Sequence, residues 1–208
     1  MKSIFKRELK SYFSSPIGYV CVAAIAALYG FMYYTSTLNS ARSSIVVQSV
    51  YSYLFMYSMM IIPIITMRSM TEDKKARTDQ LLLTSPVSVG GIVTGKFLAA
   101  FMVYLIASTL GLLPAVALTF FSSPPWGVII GNYVGALLYG GAMISIGIFL
   151  SRFTQNQIIS AIGSFALSLL LVFSESFFST ITNQFIKKAL NWTSFFSRYQ
   201  SCTQGLLN

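Results

Sequence analysis

Apolar and polar positions alternate along this chain in long blocks, not in the short steps of a soluble domain. Five blocks are apolar over the length of a membrane span: about Ile17–Leu38, Ser49–Met67, Phe97–Phe121, Val128–Leu150 and Gln157–Ser174. A helix crosses the hydrocarbon core with roughly 20 residues, so each block predicts a spanning helix. Pro63 and Pro114 fall inside the second and third blocks. Within a bundle, neighbouring helices satisfy the backbone groups that a proline frees, so both spans stand. The pattern predicts an all-α polytopic bundle, one transmembrane domain over residues 1–208.

The polar segments between the blocks differ in kind. The longest, Arg68 to Lys96, is a charged island holding three of the five acidic residues and five of the 14 basic ones. Ser69-Met70-Thr71-Glu72 has the capping-box pattern and predicts a helix from there through about Leu83. Thr84-Ser85-Pro86 ends it, with Ser85 as a second cap and Pro86 at the first position of a short following helix. Such a bent pair sets Glu72, Asp73, Lys74, Arg77 and Asp79 near water and turns Leu81, Leu82, Leu83, Val87 and Val89 toward an apolar surface. Two uses fit: a solvated loop lying on lipid, or a docking element for a soluble subunit.

At the N-terminus, Phe5, Leu9, Tyr12 and Phe13 recur at helical spacing while Lys2, Lys6, Arg7 and Lys10 point elsewhere. Residues 1–16 therefore read as a basic amphipathic helix in the membrane interface. The apolar run that follows has no small-residue cleavage site, which makes it a retained first span and not a signal peptide. Ser122–Gly127 (SSPPWG) is a tight turn with Trp126 as an interfacial anchor. Residues 175–208 form a longer segment with Phe177, Phe178, Ile181, Phe185 and Ile186 near helical spacing, expected along the outer surface.

Composition sharpens this picture. The chain is 55% hydrophobic and 9% charged, far below the roughly 25% charge of soluble domains. Its net charge of +9 raises a nucleic-acid reading, but the positive residues flank apolar blocks as topology charges do. With the N-terminus inside, ten of the 14 basic residues fall on inner segments, and the island lies in the cytoplasm.

The chemistry of catalysis is sparse. There is no histidine, and Cys21 and Cys202 are too few and too distant for a metal site or a disulfide framework. Gly90-Gly91-Ile92-Val93-Thr94-Gly95-Lys96 imitates a phosphate loop, but Phe97 stands where Ser or Thr must hold magnesium. No ionisable residue occupies a mid-span position, so nothing marks an ion relay, and any transport is expected to be powered from elsewhere. Ser160, Ser164 and Ser168 form a stripe at four-residue steps. It suits close helix packing, a conduit lining or a dimer seam.

The island is also where a family resemblance is most specific. Met70-Thr71-Glu72, Thr78, Leu82-Leu83-Thr84-Ser85-Pro86-Val87 and Gly95-Lys96 resemble the cytoplasmic loop of type-2 ABC-transporter permeases. The opening Glu8-Leu9-Lys10-Ser11-Tyr12-Phe13-Ser14-Ser15-Pro16 is similar to the start of the same family, above all its gliding-motility and nitrous-oxide-reductase-maturation branch. The resemblance implies a six-span permease of the bacterial inner membrane, N-terminus cytoplasmic, that pairs with a second permease subunit. It implies no enzymatic site or cofactor in this chain: a separate ATPase binds ATP and magnesium and docks on a coupling helix in the 68–96 loop. Glu72, Asp73, Thr78, Leu82, Leu83 and Pro86 would belong to that coupling region. Two departures stand out, Arg77 where the family often has Gly and Gln80 where it often has Glu. Ser197-Arg198-Tyr199-Gln200 and the terminal Gln204–Asn208 resemble the segment before a last span, which leads to the expectation that a sixth span is missing. The substrate is not legible, and a non-transporting anchor that recruits a soluble partner through the same loop is the alternative.

Overall fold

The computed structural model describes residues 2–39, 43–78, 88–120 and 126–178, with the side chains at 39, 43, 44 and 173–178 left aside. The described residues are helical, in seven segments: α1 (Lys2–Ser14), α2 (Pro16–Asn39), α3 (Ser43–Lys75), α4 (Val89–Leu110), α5 (Leu113–Leu118), α6 (Trp126–Ser151) and α7 (Gln157–Phe178). Four stretches are long and apolar enough to cross a membrane: Pro16–Leu38, Ile45–Lys75, Val89–Leu118 and Trp126–Ser151. Gln157–Val172, at the fifth expected span, is a shorter apolar stretch of α7. The polytopic helical bundle is therefore as the apolar blocks predict.

α3 is the central helix and packs on α2, α6 and α7, while α1 lies against α4 and the start of α2. The buried face of α3 carries Val47, Val50, Tyr51, Leu54, Phe55, Ile62 and Ile65, while Tyr53, Met56, Met60 and Ile64 on its other face are exposed, as suits a helix with lipid on one side. Pro63 leaves α3 helical. Close approach is made by small residues: a Cβ at Gly140 would stand 2.2 Å from the Tyr104 ring, and one at Gly147 would stand 2.2 Å from Thr66 Oγ1. Such contacts bring α6 against α4 and α3, where dispersion replaces the hydrophobic drive that lipid removes.

Two local expectations change. The capping box at Ser69–Glu72 does not open a helix, because α3 runs unbroken from Ser43 to Lys75 and these residues form its last turns. Its hydroxyls turn inward: Ser69 and Thr71 are buried, and Thr71 Oγ1 donates to the Met67 carbonyl. Continuing an existing helix adds one hydrogen bond per residue and needs no new nucleus, so a cap pattern inside a long helix is overridden. The third span is likewise not one helix. α4 ends at Leu110, and Pro114 sits in the first turn of α5, where a missing N–H costs nothing.

α3 ends at a turn in which Ala76 N–H donates to Glu72 O and Arg77 N–H to Lys74 O. Arg77 has φ 55°, the left-handed region. A non-glycine residue there costs roughly 1–2 kcal/mol. Arg77→Gly is accordingly expected to stabilise the chain by about 1 kcal/mol, seen as a raised melting temperature in detergent. A lowered one would contradict the turn. The second cap proposed at Ser85-Pro86 lies outside the described residues, and α4 is capped instead by Ser88, whose Oγ accepts from Gly91 N–H at 3.2 Å.

Candidate functional site

The described charged side chains gather at one end of the bundle, where α1, the end of α3, the start of α4 and the end of α6 meet. Glycine sets the approach of α1: Ile4 packs so closely on Gly95 that a Cβ there would lie 3.1 Å from Ile4 Cγ2. Tyr12, buried on the same face of α1, donates through its hydroxyl to the Ile65 carbonyl of α3 at 2.8 Å. Burial pushes the Tyr12 hydroxyl well above its ordinary pKa, so it remains a neutral donor.

Between these contacts sits Lys96, whose side chain is only 1% exposed. Its Nζ lies 2.5 Å from Asp73 Oδ2 and 3.3 Å from Glu8 Oε1, and it also donates to the Ser69 carbonyl. Arg7 closes the cluster from the water side, 2.8 Å from Glu8 Oε1 and 3.6 Å from Asp73 Oδ1. The hydrogen bond that Arg7 donates to Glu8 raises the Arg7 pKa against the opposing effect of burial, with the charges of Glu8 and Asp73 adding to the rise. Two cations thus meet two carboxylates, and the set is neutral. A buried ammonium is tolerable only in such company, because desolvation otherwise drives it to lose its proton.

Two further links reach outward. Arg68 grips Glu72 with two hydrogen bonds, Nε to Oε2 at 3.1 Å and Nη2 to Oε1 at 2.9 Å, while its Nη1 donates to Ser15 Oγ at 2.6 Å. Lys74 Nζ donates to the Arg152 carbonyl just past the end of α6, where a cation meets the negative pole of the helix.

The residues expected to couple to a partner therefore divide. The Glu72 side chain is 49% exposed and held in place by Arg68. Asp73 does not stand in water as the loop pattern predicts. Its side chain is 16% exposed and turned to Lys96, because a carboxylate one residue further round the helix faces α4. Thr78 Oγ1 donates to Asp73 Oδ1 at 2.9 Å, fastening the turn after α3. Leu82, Leu83 and Pro86 lie outside the described residues. The false phosphate loop is part of α4, so its glycines form helical turns and its lysine serves the ion cluster.

Ser160, Ser164 and Ser168 are buried. Ser164 Oγ donates to Ser160 O at 2.8 Å and Ser168 Oγ to Ser164 O at 2.7 Å. Ser164 and Ser168 border a small gap with Pro63, Thr66 and Gly147, the surroundings of a packing seam within the bundle. Among the described residues no group of His, Cys, Asp or Glu could hold a metal ion.

Lys96 and Arg68 were legible as topology charges, and Glu8 only as part of the N-terminal segment that resembles the permease family. One signal marked Glu8 out: it is the single acid before Glu72, set among four basic residues in an acid-poor chain.

No curated protein and no solved structure is found to match the chain. The family model described as ABC-2 family transporter protein matches residues 12–204. With membrane-spanning helices beneath that match, the chain belongs to the ABC-2 family of transporter proteins.

Proposed function

We propose that this permease, whose family works in general with an ATPase and as a pair, is an exporter subunit driven through the charged end of the bundle. In this reading that end faces the cytoplasm of a bacterium, and ATP and magnesium are bound by a separate ATPase that docks on the 68–96 loop. Nucleotide-driven closure of the ATPase pair biases the permease between two arrangements, which requires that the ATPase bind one of them more tightly. Glu72 offers the docking charge, with Thr78, Leu82, Leu83 and Pro86 following it along the loop, and Asp73 transmits the push inward to Lys96.

The observation that carries this reading is the split between the two acids: one carboxylate presented outward by Arg68, its neighbour paired with Lys96 of α4 and Arg7 of α1. A solvated loop with no partner has no use for that rigidity. Glu72→Lys tests it. Glu72 is half exposed and Arg68 keeps its hydrogen bond to Ser15, so the change is expected to cost the fold about 1 kcal/mol and to leave insertion near normal. Recovery of a co-expressed ATP-binding-cassette ATPase from the same genome is expected to fall about ten-fold, the effect of a like-charge contact at an interface. Unchanged recovery overturns the docking role of Glu72. Recovery that falls while vesicles show no ATP-dependent transport assigns the chain to anchoring instead.

A further inference from the structure

The charges of α1 fall into two sets with different surroundings. Arg7 and Glu8 turn toward the bundle, where Lys96 and Asp73 balance them. Lys2, Lys6 and Lys10, at four-residue steps, are all exposed. None of the ion pairs among the described residues includes them. Because i and i+4 share a helix face, they form one stripe of uncancelled positive charge.

Three features fix where that stripe points. Ile4 against Gly95, Tyr12 on the Ile65 carbonyl and Glu8 at Lys96 hold the opposite side of α1, so the helix cannot roll. Phe5, Leu9 and Phe13 make a partly buried apolar ridge, which at 100° per residue adjoins the lysines. Finally, α1 ends at Ser14 and the spanning helix α2 starts at Pro16, which ties α1 to the membrane surface. The ridge packs on the bundle core, and the lysines on its outer flank sit beside the first turn of a spanning helix, at headgroup depth, where basic helices meet charged bilayers.

We propose that Lys2, Lys6 and Lys10 form a binding surface for the phosphate headgroups of anionic phospholipids, so that α1 is a lipid-sensing edge of the permease. The direct joint of α1 to a spanning helix favours lipid over an acidic protein partner, which would need the lysines clear of the bilayer. Each juxtamembrane lysine contributes on the order of a five-fold gain in affinity for an anionic surface. The inference requires only that the chain crosses a membrane, and it stands or falls independently of ATPase docking.

The test places the full chain in bilayer discs of phosphatidylcholine alone or mixed with phosphatidylglycerol and follows amide hydrogen exchange of residues 2–14. Phosphatidylglycerol is expected to slow exchange in α1 by at least ten-fold relative to phosphatidylcholine, less at high salt, with α4 and α6 unaffected. The triple variant Lys2→Gln, Lys6→Gln, Lys10→Gln is expected to abolish the difference while matching the native chain in phosphatidylcholine. Equal exchange in the two bilayers overturns the proposal, as does a lipid dependence that survives in the triple variant. Equal slowing by inorganic phosphate in phosphatidylcholine would assign the stripe to free anions, and slowing seen only with added ATPase would assign it to protein. Either outcome also overturns it.

Discussion

Replacing Lys96 by methionine is expected to destabilise the bundle by about 3–5 kcal/mol, the range for removing one partner of a buried ion pair. Lys96 is the cation between Glu8 and Asp73, and its side chain is almost fully enclosed. Methionine nearly keeps the volume but leaves two carboxylates facing each other across an apolar group. Arg7 remains, 2.8 Å from Glu8 and 3.6 Å from Asp73 on the exposed side, so one cation is left to two carboxylates. The loss is read as a lowered thermal midpoint in detergent and as earlier protease cleavage of α1. The triple variant Lys96→Met, Glu8→Gln, Asp73→Asn is expected to recover most of the loss, because it removes the three enclosed charges and leaves only Arg7, which is half exposed to water. A midpoint unchanged in Lys96→Met would show that the ammonium is not inside the cluster. Recovery absent in the triple variant would show that packing, not charge, sets the effect.

The second large effect concerns the joint between α1 and α2. A Cβ at Gly18 would stand 2.3 Å from the Tyr12 carbonyl oxygen and 2.9 Å from its carbon. These are backbone atoms, so no rotamer change relieves the clash, and α1 as a whole must shift. Gly18→Ala is therefore expected to cost about 1–3 kcal/mol, as overpacking does, and to weaken the Tyr12–Ile65 hydrogen bond. Gly30 supplies the comparison. It lies in the same helix α2, and a Cβ there meets nothing within 4 Å. Gly30→Ala should stabilise by about 0.5–1 kcal/mol through helix propensity alone. Opposite signs for one chemical change in one helix are the signature sought. Equal thermal midpoints for both variants would remove the case for a tight α1–α2 joint.

Both predictions rest on contacts that no local pattern announces. Lys96 follows a glycine-rich run and precedes an apolar block, so along the chain it looks like any residue marking the inner end of a span. Its partners are 88 and 23 positions away, by 96 − 8 and 96 − 73. Ser69–Glu72 misled for the related reason that a cap pattern has meaning only where a helix begins. Here α3 is already formed when the pattern is reached, and burial of Ser69 and Thr71 carries the helix through it. Pro114 was legible as tolerated within the third span. That the helix breaks before it was not; at the break Gly111 lies so close to the Tyr29 ring that a Cβ would stand 2.5 Å from it, a contact between distant residues.

Sequence alone determined the class of molecule, the positions of its spanning helices, the amphipathic N-terminal helix and the concentration of charge in one loop and its flanks. Those follow from the cost of placing polar groups in hydrocarbon, which each residue imposes wherever its neighbours fold. Tertiary structure alone decided which charges are presented outward and which are consumed within. Burial of a charge depends on what lies across from it, and only the meeting of α1, α3 and α4 brings Glu8, Asp73 and Lys96 together. The same meeting leaves Glu72 and the lysine stripe of α1 free to face a partner and a membrane.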